Sequence, residues 1–594
     1  MRIVIMSIML LAVYGLVAVE VAGQINMDTV WSPVNNPYEV VGNIEIAIGN
    51  TLTLEPGVRV DFMGSWSLLV LGTLHAVGTE TDSIYFSSGQ FDPETGDWIS
   101  ISFEDSASIN NEISYARIDH NQHGIRSING ASVAISNVTI CDNSYCGIYC
   151  AESAIVQITN AHLKGESEWG VICNNTSPEI INTVITDKNV GVYAYNCAAP
   201  VVEGCNIYNN NWYGVRGSYS ASLYIHGSEI HNNITGAISS SSGNIIEISG
   251  SNLSDNGQYG IKIVNPQSLT IIDNVISGNE EDGIEIWKES SAAVLLPFIS
   301  GNQLIENGTG LKCLENVAAV ICNNAFSGNS SHGIYLSTTG YQALGEICYN
   351  VIEWSGEAGI YNDSGAIDIY KNTISYNGQG LHYNNGNLDI ILDNIFYGNE
   401  TGVLMEQELP ELSYNLFWLN TQAATGELPA NWGDLNNFNN NGDACDTYYN
   451  LFLDPVFLDP ATGDYHLQNT SPAIDAGDPA TFFYDHDATI GDMGAYYYQA
   501  TSNDVSEIIE PADLLLRNYP NPFNPVTEIS FHIEPGETGI LKIFDLRGRL
   551  ILQKSFKAGD HRYIWDAATE ASGVYFCQVQ TKYQQQIRKL LLLK

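Results

Sequence analysis

A glycine followed by an aliphatic or small residue recurs thirteen times between residues 124 and 403, and this period governs what the chain can fold into. The pairs are Gly124-Ile125, Gly147-Ile148, Gly170-Val171, Gly191-Val192, Gly214-Val215, Gly236-Ala237 and Gly260-Ile261. They continue at Gly283-Ile284, Gly310-Leu311, Gly333-Ile334, Gly359-Ile360, Gly380-Leu381 and Gly402-Val403. Spacings run from 21 to 27 residues, most often 23. Such a period marks a solenoid, in which each repeat buries its apolar face only against its neighbours. A second column precedes the glycine: an apolar residue, then Asn three positions on, as in Ile207/Asn210, Ile230/Asn233, Leu253/Asn256 and Ile276/Asn279. Glu166, Asp187 and Ser355 stand where three repeats depart from it. Asn tolerates the left-handed backbone of a sharp corner, and stacked amides can bond along the stack. After each glycine the pattern alternates with period two, which is strand and not helix. Three short strands in about 23 residues predict an all-β, right-handed parallel β-helix. The dense Leu framework of a leucine-rich repeat is missing.

The chain has 594 residues, enough for several domains or one long repeat. Residues 1–23 read as a secretory leader: Arg2, an apolar run from Ile3 to Ala18, and Val21-Ala22-Gly23 as a cleavage site. No later apolar run reaches the roughly 18 residues of a membrane span, so no transmembrane segment is expected in the mature protein. Charge divides the chain: residues 24–504 carry −46, and residues 505–594 carry +1. So acidic a body argues against nucleic acid and anionic membranes, and against an anionic polysaccharide unless cations bridge the two. Eleven Cys is an odd number. Cys150, Cys173 and Cys313 share one repeat position, and Cys322 matches Cys348. Stacked inward thiols and disulfides between neighbouring turns are both open readings.

Residues 24–115 are less regular but strand-rich, including Thr51–Leu54, Val58–Phe62 and Leu68–Leu71. They are expected to hold the N-terminal cap and first turns, because an uncovered first turn exposes open strand edges. The wording of residues 37–58 resembles the N-terminal segment of exported bacterial β-helix proteins. Regular repeats are expected over 116–420. An irregular loop leaving the helix and a C-terminal cap are expected over 421–500, where residues 451–479 resemble the terminal segment of the same proteins. Asp485, Asp487 and Asp492 cluster there as calcium candidates, against a reading as solvated turn carboxylates. A polar linker at 501–513 leads to a small domain of short alternating strands, expected to be a β-sandwich.

That last domain carries a specific resemblance. Asn518-Tyr519-Pro520-Asn521-Pro522-Phe523-Asn524-Pro525, the stretch around Gly548, "SGVYF" around Gly573 and the final "KLLLLK" resemble the type A C-terminal sorting domain of the type IX secretion system. The resemblance covers residues 514–594. It implies an Ig-like β-sandwich that hands its cargo to the outer-membrane machinery, followed by cleavage and release or surface attachment. Leader and sorting tail together predict a secreted or cell-surface protein. They leave open what the cargo does.

The position two after each glycine should face outward. It reads Arg126, Tyr149, Ile172, Tyr193, Arg216, Ile238, Lys262, Glu285, Lys312, Tyr335, Tyr361, His382 and Leu404. Aromatic rings pack on sugars, and Arg and Lys donate to hydroxyls or carboxylates, so Arg126, Tyr149, Tyr193, Arg216, Lys262, Lys312, Tyr335, Tyr361 and His382 form a candidate glycan-binding stripe. The plainer account is that Tyr suits exposed strands and the cations relieve acid crowding. A catalytic alternative sits on three successive turns. Lys312, His332 and Tyr335 are candidates for acid and base, with Asp282 and Glu285 candidates for calcium, in a polysaccharide lyase, epimerase or glycoside hydrolase. Polygalacturonases on this fold carry Asn-Thr-Asp, Asp-Asp, Gly-His-Gly and Arg-Ile-Lys motifs. Only Ser331-His332-Gly333 and Gln122-His123-Gly124 come near one of these. A surface that adheres to protein, or a structural spacer, is the third reading.

Overall fold

The computed structural model describes residues 18–594 except 106–109, 290–293, 338–344, 366, 385–389, 408–410, 480–488, 499–515, 520–522, 524, 546–549, 571–572, 582–584 and 593–594. Most of the leader, the linker, Asp485, Asp487, Pro520, Asn521, Pro522, Asn524 and Gly548 therefore lie outside the described residues.

The repeat region is a parallel β-solenoid with three strands per turn. One turn consists of Asn206–Tyr208, Tyr213–Ser218 and Leu223–His226, and each strand pairs in parallel with its counterpart one turn earlier. The strands stack into three sheets, numbered here in the order the chain meets them. Sheet 3 holds 17 strands. Sheets 1 and 2 share the long strand Tyr38–Ile46 and together hold 34. About 17 turns give a length of about 80 Å. The first strand, Val19–Ile25, pairs with Tyr38–Ile46 and so begins inside the span expected for the leader.

Apolar residues one turn apart superpose and fill the bore. Ile118, Ile140, Leu163, Ile185, Ile207 and Ile230 form such a column in sheet 1, all fully buried and in register. Inward Cys150, Cys173 and Cys313 are fully buried too, and burial pushes the thiols of Cys150 and Cys313 up to about 12. The glycine column answers a close approach rather than a left-handed turn. A Cβ on Gly260 would lie 2.6 Å from the carbonyl oxygen of Gly283 and 2.7 Å from Ile276 Cγ2. One repeat is out of step: Tyr213 pairs with Gly236 and Val215 with Ile238, so Ala237 takes the glycine place there.

The Asn column is an amide ladder. Asn210, Asn233, Asn256, Asn279, Asn307 and Asn329 each pass Nδ2–H to the Oδ1 of the next, at 2.8–3.3 Å. The left-handed corner belongs to the residue before: Asn209, Asn232, Asp255 and Glu306 have φ of 53–55°, whereas the ladder residues do not. Asp187 likewise sits at such a corner, with φ 59°. Lys188, not Asp187, takes the ladder place, its backbone N–H donating to Asn210 Oδ1 at 3.0 Å. A second ladder runs between sheets 3 and 1 through Asn274, Asn302, Asn324, Asn350, Asn372, Asn394, Asn415 and Asn450, at 2.9–3.3 Å. It ends on the buried carboxylate of Asp446, which accepts from Asn450 N–H at 2.9 Å.

The stretch expected to leave the helix instead closes it. Trp432 and Phe452 pack on Phe417, with ring centroids 5.3 and 5.7 Å away. The following segment, expected to close the last turn, runs back along the outside of sheet 1. Tyr465 is buried there, donating to Glu353 Oε2 at 2.5 Å and accepting from Ser375 Oγ at 2.8 Å. Asp492, a calcium candidate, accepts the backbone N–H of Tyr498 at 2.5 Å.

The C-terminal domain is a separate compact unit with one five-stranded antiparallel sheet. Its longest strands, Val526–Asp545 and Leu550–Asp566, break register between Ile533 and Thr538. Trp565 pairs with Thr527 and Tyr575 with Asp545, positions about 60 Å apart on a straight strand. Their rings nevertheless lie 5.3 Å apart, so the sheet folds over on itself around Phe523, Ile529, Leu541 and Leu590. Asn518 is buried and holds Thr527 Oγ1 at 3.2 Å, with Arg588 Nε at 3.1 Å. Tyr519 lies in the first strand and Gly573 opens the fourth.

Candidate functional site

Apart from one slipped repeat, the outward column of sheet 2 is in register. Arg126 pairs with Tyr149, Tyr193 with Arg216, Lys262 with Glu285, Glu285 with Lys312, Lys312 with Tyr335, Tyr335 with Tyr361, and Tyr361 with His382. All nine stripe candidates are half-buried, flanked by buried neighbours, as side chains on the outer face of a sheet must be. Ile238 is the exception to the column: the register slip turns it inward and places Ser239 opposite Arg216 and Lys262.

The stripe's cations are mostly spoken for. Arg126 forms a close ion pair with Glu104. Lys262 Nζ lies 3.2 Å from Glu285 Oε1 and 4.0 Å from the Tyr259 ring. Lys312 Nζ lies 3.3 Å from Asp282 Oδ2. Burial pulls Lys312 down, but the carboxylates of Asp282 and Glu285 prevail and raise it, so its ammonium stays protonated. Asp282 and Glu285 each face an ammonium group and also interact with one another, and among the described residues no three Asp, Glu, His or Cys converge as a cation site. Of the stripe cations, Arg216 has no ion pair among the described residues and lies over the Tyr213 ring at 5.6 Å.

Two open grooves lie along this face. One, of about 450 Å³, is lined by Gln122, His123, Arg126, Ser144, Tyr145 and Tyr149. The other, of about 430 Å³, is lined by His332, Gly356, Glu357, Tyr361, Gly378, Gln379, His382, Glu400 and Thr401. At the second groove four rings meet. Tyr335 and Tyr361 stack in parallel at 5.2 Å, His332 lies 5.5 and 5.1 Å from them, and His382 meets Tyr361 edge-on at 4.6 Å. The stacked tyrosines spend their facing surfaces on each other.

The protonation of His332 follows from its contacts. The backbone N–H of Ala358 donates to Nδ1 at 3.3 Å, so the neutral ring carries its proton on Nε2, 3.3 Å from Glu357 Oε2. Burial holds the ring below the ordinary histidine value, outweighing the pull of Glu357. His382 Nε2 lies 2.9 Å from Glu406 Oε1. Burial, with Asp363, raises the Tyr361 phenol, which stays protonated. The structure thus brings His332 and Tyr335 together and keeps Lys312 with Asp282.

Glu357, Gln379, Glu400 and Thr401 were not among the candidates from sequence. They stand one or two places before the glycine, where the corner enters sheet 2, so those two columns were the signal to follow. Beyond the corner, Trp354 stacks on Tyr376 at 4.5 Å and is 54% exposed.

Comparison with known proteins agrees with this architecture. Residues 169–321 match the right handed beta helix region, and residues 94–220 and 296–430 match the family described as periplasmic copper-binding protein (NosD). Residues 517–593 match the secretion system C-terminal sorting domain. The chain is a parallel β-helix protein with a type IX sorting tail. No curated protein sequence matches it. Among solved structures, this β-helix protein is similar to a double mutant of the periplasmic alginate epimerase AlgG, with 14% identity over 55% of this chain and 78% of that one, TM-score 0.35. It is also similar to the enzymatically active domain of tailspike protein 2 of bacteriophage CBA120, with 9% identity over 96% of this chain and 76% of that one, TM-score 0.23. The sorting tail means export to the cell surface or the medium. No described helix is long and apolar enough to cross a membrane.

Proposed function

We propose that the exported β-helix binds glycan on the outer face of sheet 2, at the groove between His332 and Thr401. The observation that carries the proposal is the composition of that groove. Ring surfaces of Tyr361 and His382 adjoin the hydrogen-bonding side chains of Glu357, Gln379, Glu400 and Thr401 in one open trough. Rings bury the apolar face of a sugar while amides and carboxylates take its hydroxyls. Self-neutralised lysines favour neutral glycans over uronates, since a carboxylate polymer would have to displace Asp282 or Glu285.

A hydrolase, lyase or epimerase on the same groove is the second reading. It is favoured by His332, whose tautomer is fixed and whose Nε2 proton points at Glu357. Both are tested by screening the mature, exported chain against neutral and uronate glycans, with and without calcium, while assaying products. Binding that falls about tenfold or more in Tyr361→Ala and His382→Ala, the equivalent of ~1.4 kcal/mol, supports the glycan-binding reading. Products that vanish in His332→Ala support the enzyme. Neither signal leaves a protein-adhesive or structural surface as the function.

A further inference from the structure

Two pairs of cysteines are register partners on adjacent turns among the described residues, Cys150 with Cys173 and Cys322 with Cys348. They differ in setting. Cys150 and Cys173 point into the bore and are fully buried. In sheet 3 the residues preceding the other pair, Ile321 and Ile347, fill the core at 0% exposure, so Cys322 and Cys348 lie on the outer side of the sheet. Cys348 is 5% exposed and Cys322 more so, with Cys322 Sγ 3.7 Å from Ser300 Oγ on the turn before.

In-register neighbours on parallel strands have Cα atoms about 4.8 Å apart, inside the roughly 4.4–6.8 Å a disulfide spans. Both residues end their strands, immediately before the left-handed corners at Asn323 and Tyr349 (φ 57° and 56°). A strand end gives the sulfurs more freedom to close than a mid-strand site. Export then matters, because the chain passes through compartments where thiols are oxidised.

We infer that Cys322 and Cys348 form a disulfide between successive turns of the exported protein. The Cys348 thiol donates to the Cys322 sulfur, which holds Cys322 below the ordinary thiol value despite burial, and Cys322 is the more exposed of the two. Its thiolate attacks the disulfide of a thiol–disulfide oxidoreductase, giving a mixed disulfide and releasing one thiolate of that donor. Cys348 then loses its proton and displaces the second donor sulfur. One S–S bond forms in the solenoid and one breaks in the donor; two protons leave the cysteines and two electrons reduce the donor to a dithiol.

The test uses the full-length chain made once with export and once retained in a reducing cytoplasm. Each sample is denatured without reductant, alkylated, proteolysed and analysed by mass spectrometry. The exported protein should yield a linked peptide carrying Cys322 and Cys348, lighter by two hydrogens than its two reduced parts and lost on reduction. Cys322→Ser should abolish the link and leave Cys348 alkylated, while Cys150→Ser should leave the link intact. Recovery of both Cys322 and Cys348 fully alkylated from the exported chain overturns the inference. So does a link from either of them to any other cysteine.

Discussion

The amide ladder can be tested at Asn279, which is 1% exposed at the middle of its column. Its Oδ1 accepts the backbone N–H and the Nδ2–H of Asn256, both at 3.1 Å; its Nδ2 donates to Leu253 O at 3.2 Å and Asn307 Oδ1 at 2.8 Å. Asn279→Ala deletes all four bonds. Asn256 Nδ2 keeps two carbonyl partners, Ile230 O and Ser254 O, but the Asn256 N–H is left without an acceptor in a sealed interior. An orphaned buried donor costs about 1–3 kcal/mol and each of the two bonds donated by Asn279 Nδ2 about 1, with Asn256 Nδ2 still partnered, so the change should cost roughly 3–5 kcal/mol. A solenoid need not unfold in one step, so a local readout is better than a global midpoint. Hydrogen exchange of peptides spanning Asn256 should lose on the order of a hundredfold in protection, the equivalent of ~3 kcal/mol. Peptides several turns away should be unchanged. Asn420→Ala, at the half-exposed end of the column, should cost far less. Unaltered protection at Asn256, or equal losses at Asn279 and Asn420, would refute the ladder as a source of stability.

Other positions follow the same physics. Ser355 interrupts the ladder and its buried Oγ has no partner among the described residues, so Ser355→Asn should raise stability by about 1 kcal/mol in chemical denaturation; a loss would mean the site cannot hold an amide. Lys188 is fully buried, donates to Lys164 O at 2.7 Å and Gly165 O at 2.5 Å, and is lowered to about 8 by burial. The folded chain therefore sheds this proton before the unfolded one, and the stability of wild type relative to Lys188→Met should rise by about 3 kcal/mol between pH 8 and 10.5; parallel pH profiles would contradict it. His332 is lowered from 6.5, so the folded state disfavours its proton and stability should fall as pH drops through and below that value. His332→Gln should flatten that acid limb, and an unchanged limb would assign it to other groups.

How much was legible in the sequence depends on how local each signal is. The glycine period, the Ile columns and the outward stripe are one-dimensional patterns, and the stripe from Arg126 to His382 needed one correction, at Ile238. That slip was invisible because Gly236 imitates the repeat, and only the pairing of Tyr213 with Gly236 exposes it. The second ladder hides because it becomes Asn only at Asn274; Ser251, Ser228 and Cys205 occupy its earlier turns. The capping loop and the strap carrying Tyr465 depend on contacts up to 112 residues apart, which no periodicity encodes. The pairing of Lys312 with Asp282 was equally hidden, since Asp282 reaches it diagonally from the turn before.

Stacking in register also dictates how charge can be arranged. Equivalent side chains on adjacent turns lie about 5 Å apart, where two like charges repel by roughly 1–3 kcal/mol for effective dielectrics between water and the protein surface. Asn gains from such repetition and a charge does not. In the stripe Lys262, Glu285 and Lys312 therefore alternate in sign, and Glu285 is the centre of that arrangement. Glu285→Gln keeps the shape but leaves Lys262 without its carboxylate, while Lys312 retains Asp282. If neutrality is what keeps anionic polysaccharides off this face, the variant should gain affinity for a uronate polymer, on the order of tenfold at low salt, and lose the gain as salt screens it. Binding of the same polymer by wild type and variant alike would show that the alternation serves only the stability of the stack.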